Sequence, residues 1–186
     1  MGFMLLAMQS GVAGGTSTSV AGAYGAAMFY VVTYALATLG AFGIMLLLAR
    51  QGFEAEEISD LRGLFRRRPW YAFVMAVVMF SLAGVPPTVG FYGKLVVLQA
   101  LLADSAPANV WIAVVAVLFS LVGAFYYIRV VKVMFFDAPA DDRPLEAAND
   151  MRFALGANGL AVLLLGLMPQ YLLSLCSGAM VRTLGG

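Results

Sequence analysis

Lys94 is the one formally charged side chain in the apolar interior of any span of this sequence; Arg129, Lys132 and Arg152 stand at span ends. It closes the run Phe80-Ser-Leu-Ala-Gly-Val-Pro-Pro-Thr-Val-Gly-Phe-Tyr-Gly-Lys94, where an apolar helix gives way to a Gly- and Pro-rich interruption. A lysine at a helix centre costs about 2.5–3.5 kcal/mol on insertion scales, so its presence needs a reason. Proton transfer is one. Desolvation disfavours the ammonium form of a buried lysine and brings proton release within reach. Arginine, which stays charged until above about pH 12, lacks that choice. Snorkelling is the competing reading, with the amine stretched to the interface. The apolar run continues nine residues past Lys94 to Ala103. That is about 13 Å of helix at roughly 1.5 Å per residue, about twice the reach of the side chain.

The interruption supplies a second ingredient. Pro86 and Pro87 lack a backbone N–H, and each disfavours helix in the residue before it. With Gly84, Gly90 and Gly93 they predict a helix break over 84–93. Unwound backbone at membrane depth is tolerated where it lines a protein-enclosed cavity, and transporters build ion sites this way. Ser81, at the edge of the break, is a candidate to hydrate a path to Lys94. Tyr34 and Thr38, four residues apart, share a helical face and are candidate lining residues of the same path. The remaining polar residues in the spans, Thr33, Gln99, Ser120 and Asn158, read as helix–helix hydrogen bonds. Gly40, Gly43, Gly84 and Gly123 read as sites of close helix packing. No carboxylate lies in a span. The partner acid of Lys94 is therefore expected elsewhere, upstream of Met1 or in another subunit.

Composition excludes most other chemistry. The chain is 62% hydrophobic and 11% charged, against about 25% charged in soluble domains, so it reads as an integral membrane protein. It has no histidine and one cysteine, Cys176. Metal centres built on His or Cys, His-based triads and an intrachain disulfide are all excluded. A net charge of +1, with no basic stripe, excludes nucleic acid as a partner.

The elements that must position Lys94 follow from the apolar runs. Residues 1–8 are apolar but too short to span, and read as the stub of a preceding helix. Residues 9–26 have a loop composition of Gly, Ser and Thr. Spans are expected at 27–49, 69–103 (broken), 109–136 and 152–168, with Pro169 bending or ending the last and a weak apolar tail to Leu184. A short amphipathic helix or solvated loop is expected within 50–68. One broken crossing at 69–103 places nine basic residues on one side and only Arg182 on the other; two crossings would split them six and four. The positive-inside rule prefers the first and makes the 50–68 and 137–151 loops cytoplasmic. The fold expected is an all-α, polytopic membrane bundle with one discontinuous helix. It is read as one membrane domain, the C-terminal part of a longer chain.

These residues also carry a resemblance. Tyr30-Val-Val-Thr-Tyr-Ala-Leu-Ala-Thr-Leu-Gly-Ala-Phe42, Glu57-Ile-Ser-Asp-Leu-Arg-Gly-Leu64, Ser81-Leu-Ala-Gly-Val-Pro-Pro-Thr-Val-Gly-Phe-Tyr-Gly-Lys94 and Ala124-Phe-Tyr-Tyr-Ile-Arg129 occur in that order. Together they resemble the C-terminal part of the subunit N family of antiporter-like subunits in proton-pumping NADH–quinone oxidoreductase, respiratory complex I. Sister subunits of M type carry Glu where Lys94 stands. The resemblance implies inverted repeats, each with a broken helix and a key ionisable residue, and makes Lys94 the proton-relay lysine of the second. It implies a translocase subunit in the bacterial inner membrane, working with other membrane and peripheral subunits. NADH, FMN, iron–sulfur clusters and quinone would be held by those partners, with no cofactor in this chain. A related cation/proton antiporter or membrane-bound hydrogenase, or a structural subunit with Lys94 inert, stays open as an alternative.

Overall fold

The computed structural model describes residues 2–13, 17–49, 57–103, 107–139 and 149–184. Eight α-helices are present among them: α1 (Gly2–Ala13), α2 (Ser17–Leu48), α3 (Leu64–Arg67), α4 (Pro69–Ala83), α5 (Val89–Leu102), α6 (Pro107–Phe136), α7 (Asn149–Leu167) and α8 (Pro169–Leu184). Three helical segments are long and apolar enough to cross a membrane: Val20–Leu48, Pro107–Phe136 and Asn149–Leu167. The chain is a multi-pass, all-α membrane protein.

The spine is α2, 32 residues long and so about 48 Å at roughly 1.5 Å per residue. Two interrupted pairs run antiparallel to it. In the first, α4 packs beside Ala37, Ala41, Ile44 and Leu48 of α2. Then α5 continues beside its earlier turns, Val97 meeting Ala26, Ala27 and Tyr30. In the second, Leu155 of α7 lies against Gly43, and Ser177 of α8 against Gly25. Helices α4 and α5 thus follow one another along α2 in the same direction, the arrangement that a single broken crossing at 69–103 requires. The α7/α8 pair is interrupted at Met168, next to Pro169, where a bend or an end was expected. A Cβ on Gly166 would meet the Pro87 carbonyl oxygen and Thr88, so the end of α7 packs backbone to backbone on the α4/α5 break. The residues expected as a weak tail, 171–184, are helical because Pro169 suits the first turn of a new helix.

Other boundaries also move. The stretch 9–26, expected as loop, is helical over Gln9–Ala13 and Ser17–Ala26, and the 1–8 stub belongs to α1. Small residues there serve close packing, as is common between membrane helices: Ala21, Ala23 and Ala26 are buried. The stretch expected as a short amphipathic helix or solvated loop holds a 3₁₀ turn at Ile58–Leu61 followed by the single turn of α3. A left-handed Gly63 at φ 62° separates them. Residues 50–56 and 140–148 of the two polar loops lie outside the described residues. Gly40 and Gly43 pack closely against Asn158 and Leu155, as expected, whereas a Cβ on Gly123 would meet nothing within 4 Å.

Asn158 donates from Nδ2 to the Leu36 carbonyl at 2.9 Å, tying α7 to α2. Its Oδ1 is buried and finds no hydrogen-bond partner among the described residues. Interhelical hydrogen bonds in membranes average about 0.6 kcal/mol, and the orphaned oxygen takes something back. Asn158→Leu is therefore expected to lower stability by no more than about 0.6 kcal/mol, read as a small fall in the thermal unfolding midpoint in detergent.

Candidate functional site

The last turn of α4 leaves four carbonyls without intrahelical partners, as any helix end does. Gly84 ends the helix at φ 86°, a left-handed conformation that glycine adopts without a Cβ penalty. The Gly84 N–H then donates to the Phe80 and Ser81 carbonyls, and the Val85 N–H donates to Phe80 at 2.9 Å. That leaves the carbonyls of Leu82 and Ala83. Lys94 Nζ donates to both, at 3.0 and 2.8 Å. The ammonium thus sits at the negative end of the α4 dipole, where a cation is favoured.

The start of α5 is satisfied by the same neighbour. Its Gly90 N–H donates to Ser81 Oγ at 3.1 Å, so a serine of α4 caps the first turn of α5 as an N-cap side chain would. A Cβ on Gly90 would meet the Ser81 carbonyl oxygen. The two half-helices therefore overlap side by side, which brings Lys94, one turn after Gly90, level with the end of α4. Gly84 has no side chain to obstruct it; a Cβ there would come within 3.0 Å of Lys94 Cδ and Nζ.

A third helix completes the site. Lys94 Nζ donates to Ser120 Oγ at 2.8 Å. Ser120 lies near the middle of α6, 13 residues from Pro107 and 16 from Phe136. The amine is therefore held near mid-depth of the bundle, turned inward and not toward an interface. The Phe3 ring of α1 is 5.9 Å from it, the outer limit of a cation–π contact. Around Lys94 lies a cavity of about 650 Å³, lined by parts of α1, α2, α4, α5 and α6. Its polar edge includes Tyr34, Ser81, Ser120 and Tyr127, and among the described residues no carboxylate lines it.

Several sequence expectations change here. The break is narrower than 84–93: it spans Gly84–Thr88, and Pro86 and Pro87 lie inside it. Gly90 and Gly93 belong to α5, because membrane helices tolerate glycine where backbones approach. Ser81 and Tyr34 line the cavity, and Thr38 does not. The Thr38 hydroxyl turns back to the Tyr34 and Ala35 carbonyls of its own helix, the usual habit of threonine within a helix. Thr33 likewise bonds to the Tyr30 carbonyl at 3.0 Å. Ser120, expected as one more helix–helix bond, is the side-chain partner of Lys94. Its position opposite Lys94 comes from the packing of α6 on α4 and α5, and no local motif announces it.

The family model for the NADH:quinone oxidoreductase/Mrp antiporter transmembrane family matches residues 1–120. The NADH-quinone oxidoreductase subunit N of Herminiimonas arsenicoxydans is 56% identical over 184 residues, covering 99% of this chain and 37% of that protein. The subunit N of Cupriavidus taiwanensis is 57% identical over 185 residues, covering 100% of this chain and again 37% of that protein. Among solved structures, a chain of respiratory complex I from Thermus thermophilus with bound aureothin superposes with a TM-score of 0.71 at 27% identity, covering 92% of this chain and 43% of that one. This chain thus spans less than half the length of these relatives.

Proposed function

Because the chain belongs to the NADH:quinone oxidoreductase/Mrp antiporter transmembrane family, we propose that it is part of the membrane proton path of an NADH–quinone oxidoreductase, as its subunit N, with Lys94 as a proton-relay residue. The observation that carries this reading is the seat of Lys94. Its amine lies on the last carbonyls of a broken helix, beside a cavity, near the middle of the bundle. The carbonyls and the helix dipole favour the ammonium, whereas desolvation disfavours it. Two opposed effects on one group allow small changes around it to move a proton on or off. Tyr34 and Ser81 line the path, and Gly84, Pro86 and Pro87 form the break that exposes the carbonyls. The redox chemistry belongs to partner subunits holding NADH, FMN, iron–sulfur clusters and quinone. This chain contributes proton transfer.

The test is Lys94→Arg in membrane vesicles carrying the complete oxidoreductase. Arginine keeps a cation on the helix end but stays protonated at any working pH. The complex is expected to assemble at wild-type level and oxidise NADH without pumping at the wild-type proton-to-electron ratio. Wild-type pumping by this variant would remove proton release by Lys94 from the mechanism.

A further inference from the structure

Resting on the reading of Lys94 as a relay, we propose that Ser120 is the group through which Lys94 exchanges its proton with the cavity. The argument is one of hydrogen-bond chemistry. Among the described residues, Lys94 Nζ has three hydrogen-bond partners: the carbonyls of Leu82 and Ala83, and the hydroxyl of Ser120. An ammonium has three donors and no acceptor, and a carbonyl only accepts. A serine hydroxyl both donates and accepts. In the charged state, all three N–H groups are satisfied, one by each partner. A neutral amine has two N–H groups and a lone pair. The two carbonyls still take the two N–H groups, and the lone pair must then face a donor. Ser120 is the partner that can turn its O–H round to supply one.

The same three contacts therefore satisfy both protonation states of Lys94 without moving it. The two carbonyls cannot receive the departing proton, so it leaves along the Nζ–Oγ line. In this step an N–H bond of Lys94 breaks and that proton forms the new O–H bond of Ser120. The original hydroxyl proton of Ser120 passes to a water molecule in the cavity, which becomes hydronium. The new O–H then points back at the amine lone pair, so atoms and charge balance. Ser120 is well placed for the second half of the transfer. It lines the cavity, as do Gly123 and Tyr127 on the same helix. Gly123, one turn further along α6, has open space where a Cβ would stand, leaving room for that water beside Ser120.

The experiment compares Ser120→Thr with Ser120→Val in vesicles carrying the complete oxidoreductase, with Lys94→Ala run beside them. Threonine and valine have nearly the same shape, so any packing cost is shared and only the hydroxyl differs. Proton translocation per NADH oxidised is measured at matched levels of assembled complex. The valine variant is expected to pump at least about 100-fold more slowly than the threonine variant, the loss expected when a positioned proton-transfer group is removed. The threonine variant should also show a solvent deuterium isotope effect on pumping of the same size as the wild type. Equal pumping by the two variants overturns the role of the hydroxyl, whether both are normal or both impaired. Full pumping by Lys94→Ala overturns the underlying relay reading itself, and Ser120 falls with it. Loss in Lys94→Ala with equal pumping in the Ser120 pair overturns only the Ser120 step.

Discussion

Lys94→Met is expected to stop proton translocation while leaving a folded, membrane-inserted protein. The expected fall in pumping is about 100-fold or more, the scale at which a positioned acid–base group contributes. The fold should survive because two stability effects oppose each other. Removing the amine strands the Leu82 and Ala83 carbonyls, which Lys94 now occupies; each buried orphan costs about 1–3 kcal/mol. Removing a lysine from a helix centre in the membrane also relieves about 2.5–3.5 kcal/mol. The two are of similar size, so the net change is small. Dye-quenching assays of vesicle acidification, normalised to assembled complex, check the first half. Thermal unfolding in detergent checks the second. Wild-type acidification by this variant would leave Lys94 with its helix-capping role alone.

Gly90→Val is expected to be among the most damaging glycine substitutions in the described chain, together with Gly166→Val. A Cβ there would meet the Ser81 carbonyl oxygen, and it would lie 2.7 Å from the Ser81 carbonyl carbon and 2.8 Å from its hydroxyl. Two of those atoms are backbone and cannot swing away. Overpacking of this kind costs about 1–3 kcal/mol, and separating α5 from α4 also breaks the Gly90–Ser81 bond, worth about 1 kcal/mol more. The total of roughly 2–4 kcal/mol comes with a functional loss. Lys94, one turn later, is drawn off the α4 carbonyls and off Ser120. Glycines nearby provide the control. At Gly93 a Cβ would meet the Thr33 hydroxyl at 3.0 Å, and at Gly123 it would meet nothing within 4 Å. The unfolding midpoints of the three valine variants should therefore fall in the order Gly90, then Gly93, then Gly123. Equal midpoints would mean that the two half-helices are not held in the overlap seen here.

Much of this architecture is legible in the chain, for identifiable reasons. Apolar runs long enough to span, a single intramembrane cation and a Gly-Pro interruption are local facts. Each has one dominant physical consequence, respectively insertion, a functional charge and a helix break. The failures are equally specific. Ser17–Ala26 looks like loop because its residues are small and polar or flexible. Beside α8, small size becomes an advantage, and Gly25 packs on Ser177. Gly90 and Gly93 look like helix breakers for the same reason and prove to be close-approach sites within α5. Thr38 shares a face with Tyr34 by spacing, yet only Tyr34 lines the cavity.

The sequence by itself determined that the chain enters a membrane, that its helix breaks within 84–93, and that Lys94 is the charge the membrane must accommodate. These follow from side-chain solvation and backbone sterics within a few residues. Only the tertiary structure decided what receives that charge. Leu82 and Ala83 become acceptors because the 84–88 break sets the start of α5 beside the end of α4, and Ser120 joins them because α6, 26 residues further on, packs across both. The reason is that unpaired carbonyls have no residue signature: any side chain leaves them, and which group satisfies them depends on what packing brings within about 3 Å.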